Sequence, residues 1–130
     1  MAVITPTFQF PAAGCKTVTW KTMTSGDVGR PVRLPYYSEK SVQIGAVGGN
    51  ADDGSTTVLQ GSNDAAADPD NANYASSVWF TLTDPQGSAI SRAGTAKIEQ
   101  VMENPLWIRP SNSGGTTVDI DVILVCKGGK

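Results

Sequence analysis

Residues Thr56–Gly87 read TTVLQGSNDAAADPDNANYASSVWFTLTDPQG, and the fold class turns on this stretch. Thr56, Thr57, Val58 and Leu59 favour a strand, and Gly61-Ser62-Asn63-Asp64 stops it with turn-forming residues. Val78, Phe80 and Leu82 then alternate with Trp79, Thr81 and Thr83, the two-residue period of a second strand. Asp84-Pro85-Gln86-Gly87 fits a type I turn, with Asp first, Pro second and Gly fourth. Between the strands lies the polar, low-complexity segment Ala65–Ser76.

The same pattern extends in both directions. Towards the N-terminus, Ser41–Val47 forms a strand with Val42, Ile44 and Ala46 on one face, joined to Ser55–Gly61 through a long polar loop as a hairpin. Lys16–Met23 alternates Val18, Trp20 and Thr22 against Thr17, Thr19 and Lys21. Thr24–Gly29 is a turn region. Arg30–Tyr37, RPVRLPYY, carries two prolines and reads as an irregular loop. Towards the C-terminus, Ser88–Arg92 is a short edge segment. Thr95–Glu103 fits helical and strand spacing alike, and a strand or one irregular turn is preferred. Leu106–Pro110 is a short strand, Ser111–Gly115 a turn, and Thr116–Cys126 the longest strand.

Closely spaced strands with turns between them predict one all-β domain, an antiparallel β-sandwich of jelly-roll or Ig-like type with long loops. Its length of 130 residues suits a single domain. Residues 1–14 are expected as an extended N-terminal arm, because Pro6 and Pro11 remove ladder donors, and residues 15–130 as the sandwich. The expected core is Val18, Trp20, Val42, Ile44, Val58 or Leu59, Phe80, Leu82, Ile108, Ile120, Val122 and Leu124.

Composition narrows function mainly by exclusion. The net charge is −2 with scattered basic residues, so no nucleic-acid footprint is expected. No apolar run is long enough for a membrane span, and the N-terminus lacks the features of a signal peptide, so folding in a cytosol is expected. With no histidine, the usual general base and a Cys/His zinc site are absent. Glu39, Glu99 and Glu103 sit in polar or Lys-flanked contexts, and no enzyme activity, cofactor or metal is expected. The Asp/Asn insert departs from calcium-loop spacing and reads as solvated. Cys15 and Cys126 read as buried free thiols, with a disulfide tying the first strand to the last as the alternative.

The remaining candidates are surfaces for a partner. Phe8 and Phe10 make the arm too apolar for a free tail. Arg30, Arg33, Tyr36 and Tyr37 are residue types favoured in interfaces. Trp79 and Trp107 lie opposite the aliphatic faces of their strands, either covered by loops or the arm, or free to anchor a protein or stack on a sugar.

VLQGSND, then VWFTLTDPQGSAI, AKIEQVMENPLWIRPSNSGG and a final TTVDIDVILV strand resemble the head decoration, or cement, proteins of tailed bacteriophages. The resemblance covers most of the chain from about Trp20 onward. It implies a virion protein made in the host cytoplasm, bound to the capsid surface and bridging major capsid protein subunits. It also implies self-association there and no catalytic residues. A carbohydrate-binding module of a phage fibre and a tail or head–tail connector protein are the alternative readings.

Overall fold

The computed structural model describes residues 2–46, 55–69, 78–93, 96–114 and 119–128. Twelve strands run through them: β1 (Val3–Ile4), β2 (Thr7–Ala12), β3 (Cys15–Met23), β4 (Val28–Gly29), β5 (Val32–Arg33), β6 (Glu39–Ala46), β7 (Thr56–Ser62), β8 (Phe80–Thr81), β9 (Ser91–Ala93), β10 (Lys97–Val101), β11 (Trp107–Ser113) and β12 (Ile120–Lys127). They form two sheets packed as a β-sandwich. One is ordered β10-β6-β12-β3-β2. The other is ordered β1-β4-β11-β7-β8, with β5 also on β11 and β9 also on β7. All pairings are antiparallel except β1 with β4.

The core sits between the sheets. Rows such as Val42–Leu124–Val18 and Ile44–Val122–Trp20 cross the five-stranded sheet and meet Leu59, Leu82, Ile90 and Ile108 from the other. Trp20 is fully buried and donates its indole N–H to the carbonyl of Arg30 at 3.1 Å, so its one polar atom is satisfied. Near the end of β3 the sequence period breaks. The register shifts between Ile120 and Val122, Thr22 takes φ 61°, and its N–H donates to Asp121 Oδ1 at 2.9 Å. This bulge turns Met23 into the core in place of Thr22.

Several expectations change. Phe80 is not a core residue: it is 69% exposed, whereas Leu82 is buried. The regular pairing of its strand covers only Phe80 and Thr81, opposite Gly61 and Gln60. Ser41–Val47 and Ser55–Gly61 are not a hairpin, since β6 pairs with β10 and β12 in one sheet and β7 with β8, β9 and β11 in the other. The expected loop Arg30–Tyr37 contributes β5, and the preceding turn region contributes β4, because β11 offers both a partner. That strand runs through Ser113, past the expected turn, because Ser111, Asn112 and Ser113 pair with Val58, Thr57 and Thr56. The expected start of the last strand, 116–118, lies outside the described residues. The turn after Leu82 forms as read: Gly87 N–H donates to Asp84 O, and the Asp84 side chain accepts from Gln86 N–H and Ser88 N–H.

Residues 2–14 are largely extended and paired into both sheets. β1 lies beside β4, and β2 turns through Gly14 (φ 70°) to pair with β3. Asp27 ties β1 down, accepting from Ala2 N–H at 3.0 Å and from both the N–H and hydroxyl of Thr24 at 2.9 Å. Burial alone raises the pKa of this carboxyl, but the three donors outweigh it and the net direction is down. The folded state therefore binds this proton less readily than the unfolded chain. Its stabilising effect is full above the ordinary Asp range near about 4 and fades as pH falls through the lowered folded value. Asp27→Ala should cost about 1–3 kcal/mol at neutral pH, read as a lower urea midpoint, and that difference should shrink in acid.

The cysteines are unpaired. Cys126 lies opposite Lys16 and Cys15 opposite Lys127, so they occupy adjacent rows, and side chains one row apart point to opposite faces of the sheet. Burial pushes the Cys126 thiol up to about 11, leaving it protonated and inert.

Candidate functional site

At one end of the sandwich three chain segments enclose an open groove of about 630 Å³. Its floor depends on a glycine. A Cβ on Gly61 would stand 2.6 Å from both Leu82 Cδ2 and Pro105 Cγ, so only glycine lets Leu82 and Pro105 close over β7. Past Gly61, Asn63 Oδ1 accepts from Leu106 N–H at 2.8 Å, and Ser62 Oγ accepts from Asp64 N–H at 3.1 Å. These bonds turn β7 away from the sheet into the short 3-10 turn Ala65–Ala67.

The segment between β10 and β11 forms the opposite wall. Glu103 accepts from Thr83 N–H at 2.8 Å and from the Thr83 hydroxyl, and Met102 N–H donates to Thr83 O at 2.9 Å. Burial raises the Glu103 pKa, but the Thr83 bonds overcome it and hold the carboxyl in its charged form. Asn104 donates to Pro35 O at 3.0 Å and accepts from Lys40, whose ammonium also donates to Tyr37 O at 2.6 Å. Lys40 is 3% exposed, and burial lowers its pKa. This buried cation joins the loop after β5 to the loop after β10 and fixes the rim.

The polar residues Asn63, Glu103 and Asn104 are thus engaged in holding loops. The groove's remaining surface is chiefly Val78, Phe80, Leu82 and Pro105. Tyr36 and Met102 stand 71% and 57% exposed on the neighbouring loops. The arrangement suits an apolar, partly aromatic contact.

A second aromatic patch lies on the opposite flank. Phe8 and Phe10 are exposed on β2, and Lys16 Nζ lies 4.5 Å and 5.6 Å from their ring centres. Phe8 pairs with Val18, a core residue, so its ring is on the core-facing side of the sheet, at an edge the other sheet leaves open.

The other sequence candidates are distributed as follows. Arg30 is half-buried and serves through its backbone: its carbonyl receives the Trp20 indole and its N–H donates to Ile4 O. Tyr37 packs against the core. Arg33 pairs with Trp107, which pairs in turn with Ser62, a row across the outer face of the larger sheet. Trp79 is buried, with the Arg109 guanidinium 4.3 Å from its ring, so this indole is closed off as a surface anchor. Arg109 also donates to Gln60 Oε1, and burial draws its pKa down to about 10. The structure thus sets Tyr36 on the loop that Asn104 ties to the groove lined by Phe80, and Phe8 with Phe10 at Lys16, but does not unite the eight candidates. The pattern reading missed Phe80 and Met102 as surface groups, because it assigned Phe80 to the core.

Among the described residues no three acidic or cysteine side chains group closely enough to hold a metal ion. The centre of the Asp/Asn-rich insert, 70–76, lies outside the described residues. No helix among the described residues is long and apolar enough to cross a membrane.

No family model matches the chain, and no curated protein matches it in sequence. Among solved structures, the SPBc2 prophage-derived protein YomS shares the fold, with TM-score 0.60 and 11% identity over 92% of this chain and 100% of that one. A Bacillus endospore appendage protein, described as forming disulfide-linked pili, aligns at TM-score 0.45 and 7% identity over 98% and 91% of the two chains. The K3 adhesin domain of Lys-gingipain from Porphyromonas gingivalis aligns at TM-score 0.38 and 17% identity over 87% and 74%.

Proposed function

We propose that the chain is a structural protein of a tailed-phage particle, a non-catalytic head decoration protein that binds the outer surface of the capsid and bridges neighbouring major capsid protein subunits. The observation that carries this reading is the placement of two exposed aromatic patches on opposite flanks of one rigid sandwich. β1 and β4 pack over β3 on the flank that bears β2. On the far flank, Met102 N–H bonds to Thr83 O and Lys97 Nζ to Ser91 O, joining the β8–β9 side to β10. From β2 to β10 the five-stranded sheet spans four inter-strand steps, about 19 Å. A clamp needs two such surfaces, whereas a simple ligand binder needs one. The fold shared with a prophage-derived protein supports a phage setting.

A sugar-binding role is disfavoured by the groove's own chemistry. Recognition of a sugar relies on open hydrogen-bonding groups beside a flat ring, and here Asn63, Glu103 and Asn104 are taken up within the chain. The test is to mix purified protein with undecorated heads and with tails, sediment each, and count bound copies. Saturable binding to heads alone is expected. Binding to tails alone would assign it a tail role, and glycan-array binding without particle binding would assign it to a fibre module.

A further inference from the structure

The two edges of the five-stranded sheet are treated differently. β2 is guarded: Pro6 precedes it, Pro11 lies within it, and its register on β3 shifts between Gln9 and Ala12. Proline and irregular pairing are the usual ways a free edge is kept from pairing with another chain. β10 has neither. Its five residues pair with β6 in unbroken register, and among the described residues it has a strand neighbour on one side only. Its two charged residues are no guard: Lys97 reaches back to Ser91 O at 2.9 Å and to Glu99 Oε1 at 2.8 Å. The side chains left outside are Gln100 and Ile98, the latter 69% exposed.

Two further features define what fits this edge. The N–H of Met102 is taken by Thr83 O in the other sheet. Successive residues of a strand aim their N–H and C=O to alternate sides, so Ile98 and Gln100, on the same side as Met102, present theirs at the open edge. Second, Lys97 and Glu99 set one positive and one negative group side by side on one face of the edge, with their side chains 33% and 20% exposed. The complement of that pair is the same pair read in the reverse direction.

We infer that β10 is a self-association edge, pairing antiparallel with β10 of a second copy of this chain about a two-fold axis through Ile98. In this register Ile98 faces Ile98, and Lys97 of each copy stands opposite Glu99 of the other, on the same face of the joined sheet. Each Glu99 carboxylate then has an ammonium across the axis as well as its own Lys97, twice per dimer. Cross-strand opposite charges stabilise such a pair and like charges oppose it. A two-fold axis at Glu99 sets the two carboxylates against each other, and one at Gln100 sets Glu99 against Val101. Charge therefore selects the Ile98 register. The contact is short, so association is weak in dilute solution and strengthens where copies are held close together. This inference stands independently of the virion reading.

Ile98→Cys and Gln100→Cys test the register. Opposed residues in a hydrogen-bonded antiparallel pair have Cα atoms about 5.5 Å apart, within disulfide range. In the same register two cysteines at position 100 are offset by roughly 13 Å along the strands. Mild oxidation should therefore link Ile98→Cys into a dimer and leave Gln100→Cys monomeric. Lys97→Glu and Glu99→Lys test the charges. Each variant alone should self-associate on the order of tenfold more weakly than the native chain, and an equimolar mixture should form heterodimers on the order of tenfold in excess of either homodimer, because only the mixture places opposite charges across the axis. Thermal melts confirm that both variants are folded. Equal cross-linking at 98 and 100, no heterodimer preference, or a native chain that sediments as a monomer at its highest soluble concentration would each overturn the proposal.

Discussion

Val122→Asp leaves no folded protein. Val122 is fully buried on β12, the central strand of the five-stranded sheet, between Ile44 on one side and Trp20 on the other. The replacement puts a carboxylate where every near neighbour in the row is apolar. An unpaired charge in a dry interior costs several kcal/mol even when the group protonates to escape it. A domain of this size is stable by about 5–15 kcal/mol, so one such change removes most or all of the margin. Val122→Ala, which only vacates volume, should cost about 2 kcal/mol and retain a cooperative urea transition. Circular dichroism distinguishes the two: strand signal for Ala, a disordered spectrum for Asp.

Gly29→Val is the second large effect, and its cause is steric. A Cβ on Gly29 would lie 2.5 Å from Pro110 Cδ and 2.6 Å from Trp20 Nε1. Both neighbours are rigid rings. Trp20 is further held by its bond to Arg30 O, which belongs to the residue after Gly29. Relief requires β4 to leave β11 or the indole to leave the core. The expected loss is about 2–4 kcal/mol, from overpacking together with the indole hydrogen bond. Gly26→Ala is the matching control. Gly26 has φ 86° but nothing within 4 Å of its would-be Cβ, so only backbone conformation opposes the change and the loss should be about 1 kcal/mol. If the two variants melt together, close packing at Gly29 is not what holds β4 in place.

The core was largely legible because it rests on two-residue periodicity. Val18, Trp20, Val42, Ile44, Leu59, Leu82, Ile108, Ile120, Val122 and Leu124 are all buried as their alternation predicts. What periodicity does not carry is which strand pairs with which. β6 and β7 read as a hairpin because they are adjacent in sequence, yet each finds its partners from distant parts of the chain. Phe80 was misplaced for a related reason. Alternation gives a face, but not whether anything covers that face, and β8 is a two-residue edge piece. The bulge at Thr22 depends on Asp121, ninety-nine residues away in sequence, and no local pattern encodes it. For the candidate site, Phe8, Phe10 and Tyr36 were found from their apolar or aromatic character alone. Their grouping into two flanks, and the closure of Trp79 over Arg109, are consequences of tertiary structure.

The central claim is that two flanks act together on a capsid, and one measurement addresses it directly. Undecorated heads are titrated with native protein, with Phe8→Ser/Phe10→Ser, and with Tyr36→Ser/Phe80→Ser, while bound copies and the temperature of DNA release are recorded. All four side chains are exposed or half-exposed in the chain, so the variants should fold. Burying a single such aromatic contributes roughly 1.5–3 kcal/mol, so each double variant should bind at least tenfold more weakly. At saturation, where copies are bound through the one remaining flank, DNA release should fall to the temperature of bare heads. Full protection by either double variant at equal occupancy would contradict a two-flanked clamp.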